Sequence, residues 1–165
     1  MDGVLSNCAH YIERDLVMEK KPDSYNLSPI AAPNYNFTIN APEFKMNDDD
    51  FLIWFLEGVL ERHPDYYDCL MYLGNIYTTK GMYEKGLNVD LKLAELKPAN
   101  PLVHYNLACS YSLLGNIDAA INTLKKAIDL GYKDVEHLER DSDLINIRTD
   151  KRYKELIEKL KAKGG

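Results

Sequence analysis

Apolar residues in the second two-thirds of the chain recur at spacings of three and four, as they do on one face of an amphipathic helix. The predicted helices end at glycines, which favour the left-handed backbone of helix C-termini: Gly81, Gly115 and Gly131. Three of the predicted helices follow a residue whose side chain can cap a helix: Asp65, Asn100 and Asn116. The pattern therefore predicts an all-α fold made of short helices joined by tight turns.

The helical pattern repeats along the chain. At an offset of 34 residues, side chains of similar kind and size coincide: Pro64 with Pro98, Leu73 with Leu107, Tyr77 with Tyr111, Gly81 with Gly115, and Leu96 with Leu130. A single pair of helices cannot bury its apolar face, so repeated pairs stack on one another. The repeat predicts a solenoid of helix–turn–helix units.

The residues at the repeated positions resemble the tetratricopeptide repeat, whose pattern places Leu-Gly and Tyr on a first helix, a small residue on a return helix, and a closing Pro. The resemblance rests on Leu73, Gly74, Tyr77, Gly86 and Pro98, and on Leu107, Ala108, Tyr111 and Ala120. It implies a right-handed α-solenoid with repeats at 66–98 and 100–131, a return helix at 50–62 and a closing unit at 134–162. Asp90 replaces an aromatic residue of the family, which weakens the expected packing of its helix.

The N-terminal segment, residues 1–47, differs from the repeat domain predicted at 48–165. Four of the seven prolines lie within residues 22–47, among asparagines, and each proline removes a backbone donor. We therefore expect a mostly irregular segment. Before the prolines, a helix is predicted at 4–19, where one face carries Leu5, Cys8, Ile12 and Leu16. This helix either packs on the array or frays.

Composition excludes several classes of function. The 165 residues carry a net charge of −6, and residues 1–50 hold nine acidic and four basic residues, so the array itself is close to neutral. An acidic chain lacks the clustered Lys and Arg that phosphates require, which argues against nucleic-acid binding. The longest apolar run, at 51–56, is too short to span a membrane. Three cysteines favour a reducing cytoplasm over a disulfide framework.

The sequence contains no pattern typical of a catalytic or metal site. No two of the four histidines lie three or four residues apart, and the three cysteines form no CxxC pair. Glycine-rich phosphate loops are also absent. We therefore expect a protein that is not an enzyme, with no cofactor and no metal.

The resemblance implies a concave groove lined by the first helix of each unit. The residues that it places there are Met71, Asn75, Thr78 and Thr79, then Leu102, Tyr105, Asn106, Cys109, Ser112 and Leu113, and Arg140 from the closing unit. Some family members hold the C-terminal carboxylate of a peptide in a clamp of asparagines and basic residues. Asn75, Asn106 and Arg140 lie at three of those positions in this chain. Here Met71 and Glu136 replace the two lysines of that clamp, which favours a peptide with apolar anchors instead.

The resulting interpretation is a cytoplasmic adaptor that binds a peptide segment of another protein. Two alternatives remain open. The aromatic helix at 51–56, with Trp54 as the only tryptophan, could mediate self-association into a homo-oligomer. The second alternative, which the sequence favours less, is an accessory domain of an enzyme system.

Overall fold

The computed structural model of the protein describes residues 48–164, so the helix predicted at 4–19 lies outside the described residues. The described part contains seven α-helices and one short 3₁₀ helix, without a strand. The helices are α1 (Asp48–Arg62), α2 (Tyr67–Thr79), α3 (Tyr83–Leu96), α4 (Pro101–Leu113), α5 (Ile117–Asp129), α6 (Val135–Arg140) and α7 (Lys151–Gly164), with the 3₁₀ helix at Ser142–Leu144. None of these helices has the length and apolar character needed to cross a membrane.

Consecutive helices pack against one another, which confirms the prediction of an all-α solenoid. Helices α2 and α3 form one pair, and α4 and α5 form the next. Helix α4 also packs against α3, and its other side contacts the 3₁₀ helix. The chain then closes with α6 and α7, which contact each other. The division between an N-terminal segment and a repeat domain at residue 47 stays a prediction.

Two of the three predicted helix caps are present. The Asn100 side chain accepts a hydrogen bond from the Leu102 amide at 2.9 Å, and Asn116 accepts one from the Ala119 amide at 3.4 Å. Asp65 does not cap α2. The Tyr66 amide donates instead to the His63 carbonyl, and this turn delays the start of the helix to Tyr67. Asp65 forms an ion pair with Lys92 on α3 at 2.8 Å.

The turns inside the two helix pairs have the same backbone. Gly81 and Gly115 have φ values of 71° and 72°, in the left-handed region that residues with a side chain rarely adopt. The Met82 amide donates to the Tyr77 carbonyl at 2.8 Å, and the Asn116 amide donates to the Tyr111 carbonyl at 2.9 Å. These are equivalent bonds one period apart, and they satisfy carbonyls at the ends of α2 and α4.

The helices of the first pair approach each other closely because glycines face the contact. A Cβ on Gly74 would lie 3.2 Å from Val89 Cγ1, and one on Gly86 would lie 3.3 Å from Thr78 Oγ1. Ala120, one period after Gly86, is fully buried. The small residues that carry the family resemblance therefore hold the helices of each pair together.

Two glycine-to-alanine substitutions should have opposite effects on stability. Gly115→Ala forces a side chain into the left-handed region and should lower the free energy of unfolding by about 1 kcal/mol. Gly58→Ala, inside α1 with open space around its Cβ position, should raise it by about 0.5–1 kcal/mol because alanine favours a helix. Urea denaturation of both variants measures the difference. Equal effects of the two substitutions would contradict this account of the turn.

Candidate functional site

Helix α2 presents three of its four predicted groove residues to solvent. Asn75 and Thr79 are exposed and Met71 is half-buried. The Thr79 hydroxyl donates to the Asn75 carbonyl at 2.9 Å, one turn earlier. Thr78 is also half-buried, but its hydroxyl lies against α3, where it is the atom closest to the Cβ position of Gly86. A partner on this side of α2 would therefore contact an amide, a hydroxyl and a thioether.

The predicted groove residues of α4 divide into two groups. Leu102 is 45% exposed, and Asn106 and Leu113 are half-buried. The others are covered by protein atoms, with exposed fractions of 7% or less: Tyr105, Cys109 and Ser112. In this arrangement these three side chains are not available to a partner.

The cover over α4 comes from the closing unit, where helix α6 stops at Arg140. Asp141 has an extended backbone (φ −62°, ψ 118°), and its side chain accepts a hydrogen bond from the Asp143 amide at 2.9 Å, which caps the 3₁₀ helix. That short helix packs on α4, and the Asn146 amide group donates to the Ser112 carbonyl at 2.8 Å. A helix break at Asp141 thus brings the chain back across α4.

The Asp141 carboxylate is the centre of a polar cluster under this cover. The Tyr105 hydroxyl and the Cys109 thiol both donate to its Oδ2 atom, the thiol at 3.5 Å. His137 Nε2 lies 3.9 Å from the same oxygen. The ring of Tyr105 also stacks on Tyr132, with 4.5 Å between centroids. These contacts attach the closing unit to α4.

Burial keeps the donors of this cluster protonated. It is the largest cause of the raised pKa values of Tyr105 and Cys109, and the neighbouring Asp141 raises both further. Burial also raises the pKa of Tyr132 to about 12. A thiol in this state is a hydrogen-bond donor and a poor nucleophile, because the thiolate is the reactive form. The cluster therefore stabilises the fold, and its chemistry does not resemble that of a catalytic site.

Among the described residues, the carboxylate clamp that the sequence disfavours is incomplete. Arg140 is exposed and forms an ion pair with Glu136 at 2.5 Å, so its charge already has a partner. One period separates Asn75 from Cys109 and Asn106 from Tyr72, so the two asparagines occupy different positions of the repeat. Among residues 48–164, no group of His, Cys, Asp or Glu side chains is placed to hold a metal ion.

Three residues of the Asp141 cluster were not among the site residues predicted from the sequence: Tyr132, His137 and Asp141. One signal could have found Asp141. It precedes Ser142 and Asp143 at the end of a short apolar pattern, and an aspartate that bonds its own backbone two residues on forms turns and caps. That signal marks a helix break, but it does not say which surface the broken segment covers.

Comparisons with known proteins agree with the geometry. Residues 102–130 match the sequence profile of the tetratricopeptide repeat. The chain therefore contains a tetratricopeptide repeat over these residues. Helices α4 and α5 form the matched repeat.

Two curated relatives are similar to part of this chain. A protein of Arabidopsis thaliana that is named as chloroplastic is 30% identical over 84 residues, which are 49% of this chain and 25% of that protein. The peroxisomal targeting signal receptor of Pichia angusta is 30% identical over 97 residues, covering 59% of this chain and 17% of the receptor. The chain therefore spans a quarter or less of the length of these relatives.

Solved structures show the same fold at low sequence identity. MamA 41-end from Desulfovibrio magneticus RS-1 matches with a TM-score of 0.58 and 20% identity, over 70% of this chain and 66% of that one. MamA MSR-1 C2 matches with a TM-score of 0.55 and 20% identity, over 71% and 70%. The likeness establishes a shared repeat fold.

Removing the central carboxylate should expose Cys109. In a Cys8→Ser background, Asp141→Ala should lower the free energy of unfolding by about 1–3 kcal/mol, because two buried donors lose their acceptor. Cys109 should then react with a thiol reagent, while Cys69 in the other repeat stays protected. Mass spectrometry of the labelled protein measures both sites.

The matched control is Asp118→Ala, which removes an exposed carboxylate from an ion pair with Arg152. It should leave Cys109 protected. Labelling of Cys109 no faster than that of Cys69 in Asp141→Ala would contradict the role of Asp141 in holding the cover.

Proposed function

We propose that this chain is a non-enzymatic adaptor whose helices α2 and α4 bind a peptide segment of another protein. One observation carries the proposal. Each helix has an accessible apolar side chain followed one turn later by an asparagine: Met71 with Asn75, and Leu102 with Asn106. Residues four apart lie on the same face of a helix, so each pair offers one apolar contact and one amide side by side.

Such pairs suit an extended or helical peptide with apolar side chains. An asparagine amide both donates and accepts, so it can bond to the backbone of a peptide whatever its sequence. The apolar neighbour supplies the anchor, as in other recognition of peptides by helical surfaces. Neither pair carries a positive charge, and Arg140 is paired with Glu136. We therefore favour a peptide recognised through internal residues over one held by its terminal carboxylate.

The relative from Pichia angusta supports a role in recognition in general, since it is named as a receptor for a targeting signal. The segment shared with that receptor is a minor part of its length, so the identity of the signal does not transfer to this chain. The reducing cytoplasm favoured by the cysteine content remains our prediction for the location.

Loss of both asparagines should weaken peptide binding without unfolding the array. Peptides selected on the wild-type protein from a phage-displayed random library are the probe, and each is titrated by calorimetry. Asn75→Ala with Asn106→Ala should weaken binding about 5-fold to 150-fold, because each amide contributes about 0.5–1.5 kcal/mol of hydrogen bonding. Circular dichroism should show unchanged helicity.

The control is Asn122→Ala, which removes an exposed asparagine from α5. This variant should bind the selected peptides as tightly as wild type. If the double variant also binds normally, the peptide site lies elsewhere and the proposal fails.

Self-association is a second candidate, supported by an aromatic patch on α1. Phe51 is 50% exposed and Trp54 is 62% exposed, and the centroid of the Phe51 ring lies 5.9 Å from that of Trp54 and 6.2 Å from that of Phe55. Ile53 and Leu56, on the opposite face of the helix, are buried. Large apolar patches of this type often mark protein contacts.

Sedimentation equilibrium distinguishes this candidate from a monomeric adaptor. If α1 mediates association, the mass should rise with concentration, and Trp54 fluorescence should shift to the blue as the ring leaves water. Phe51→Ser with Trp54→Ser should then give a monomer, whereas Met82→Ser, at another exposed apolar residue, should not. A constant monomeric mass for the wild type would exclude association through α1.

A further inference from the structure

The junction between the two repeats contains a buried carboxylate. Asp90 on α3 is only 6% exposed, and the Ser110 hydroxyl of α4 donates to its Oδ2 atom at 2.5 Å. Its Oδ1 atom would lie 3.5 Å from a Cβ on Gly74 of α2. Asp90 thus lies where α2, α3 and α4 meet, and its helix does pack in spite of the missing aromatic residue.

The repeat itself shows what normally occupies this position. One period later, Asp90 and Ser110 correspond to Leu124 and Leu144, which are both fully buried in one apolar cluster. One period earlier they correspond to Leu56, also buried, and Ile76. Of these three junctions, only the middle one has a polar pair. The other two have apolar pairs, which cannot take up or release a proton.

Few interactions stabilise the negative charge of ionised Asp90. Burial raises its pKa to about 6, opposed only by the hydrogen bond from Ser110. The titratable groups on the neighbouring helices have other partners: Tyr77 of α2 donates to Glu57, and His104 of α4 contacts the Pro98 carbonyl through Nε2 at 2.8 Å. The second ring nitrogen of His104 is buried and has no hydrogen-bond partner among the described residues.

We propose that the Asp90–Ser110 contact makes the junction between the two repeats a proton-operated hinge, tight when the carboxyl is protonated and loosened when it ionises. In an array, stability is approximately the sum of repeat and interface contributions, so one junction can loosen while its neighbours persist. The hinge does not depend on peptide binding. Under the proposed function it would change the spacing of α2 and α4, which carry the two halves of the candidate site.

The direction of the effect follows from the two states of the chain. The pKa of Asp90 is about 6 when folded, against an ordinary value of 3.8 when exposed, so the folded state binds the proton more tightly. Its stabilising effect is complete below about pH 4 and disappears as the pH rises through 6. The loss in the folding equilibrium constant approaches a hundredfold, since each pKa unit of difference is a factor of ten.

The test uses the full chain and the variant Asp90→Asn, which keeps an acceptor for Ser110 but cannot ionise. Denaturant unfolding from pH 4.5 to 7.5 should show wild type losing stability relative to the variant by a factor of tens. Asp129→Asn, at an exposed carboxylate of α5, should follow wild type. If Asp90→Asn follows wild type as well, the proposal is overturned.

Hydrogen exchange locates the effect. At pH 7, Asp90→Asn should protect amides of α3 and the first turns of α4 more strongly than wild type does, with those of α5 and α7 unchanged. A uniform change over the whole array would overturn the hinge. Should Asp90→Asn fail to fold, Asp90→Leu with Ser110→Leu, which reproduces the Leu124–Leu144 pair, takes its place with the same expectations. Loss of peptide binding in the asparagine variants of α2 and α4 leaves these outcomes untouched.

Discussion

Helix α4 must be covered on almost every side, and the rest of the structure depends on this constraint. Eight of its residues are buried, between Val103 and Ser112. A helix that is apolar on nearly all sides needs neighbours around it. Helix α3 lies on one side, α5 on another, and the 3₁₀ helix of the closing unit on a third. The array therefore cannot end at α5, and the closing unit is part of the minimal fold.

The closing unit meets this requirement with a broken helix followed by an amphipathic helix. Its helix breaks at Asp141, which lets the chain cross α4, and α7 follows with one apolar and one polar face. Tyr153 and Ile157 of α7 are buried, and the Tyr153 hydroxyl donates to the Leu138 carbonyl at 2.6 Å. The opposite face carries exposed lysines and glutamates, a pattern typical of capping units in repeat arrays.

Local signals predicted most of the fold, because caps, turns and periodicity are properties of short segments. Asn100, Asn116 and Gly115 act as predicted. The burial of Tyr105 was not predictable in this way, since its partner Asp141 lies 36 residues away and reaches it only through a helix break. The resemblance placed six candidate groove residues on α4 but could not show that the closing unit covers three of them. The packing around Asp90 was not predictable either, because the hydroxyl that bonds to its carboxylate belongs to Ser110, twenty residues away.

The two sides of α4 are thus held by two carboxylates in different surroundings. Asp141 accepts hydrogen bonds from the Tyr105 hydroxyl, the Cys109 thiol and the Asp143 amide, and its side chain retains some contact with water. Asp90 accepts one bond, from Ser110, and is almost fully enclosed. A charge with several donors and partial hydration is better stabilised than a buried charge with one donor. Ionisation of Asp90 therefore weakens the contact between α3 and α4, while the hydrogen bonds to Asp141 keep the closing unit on α4.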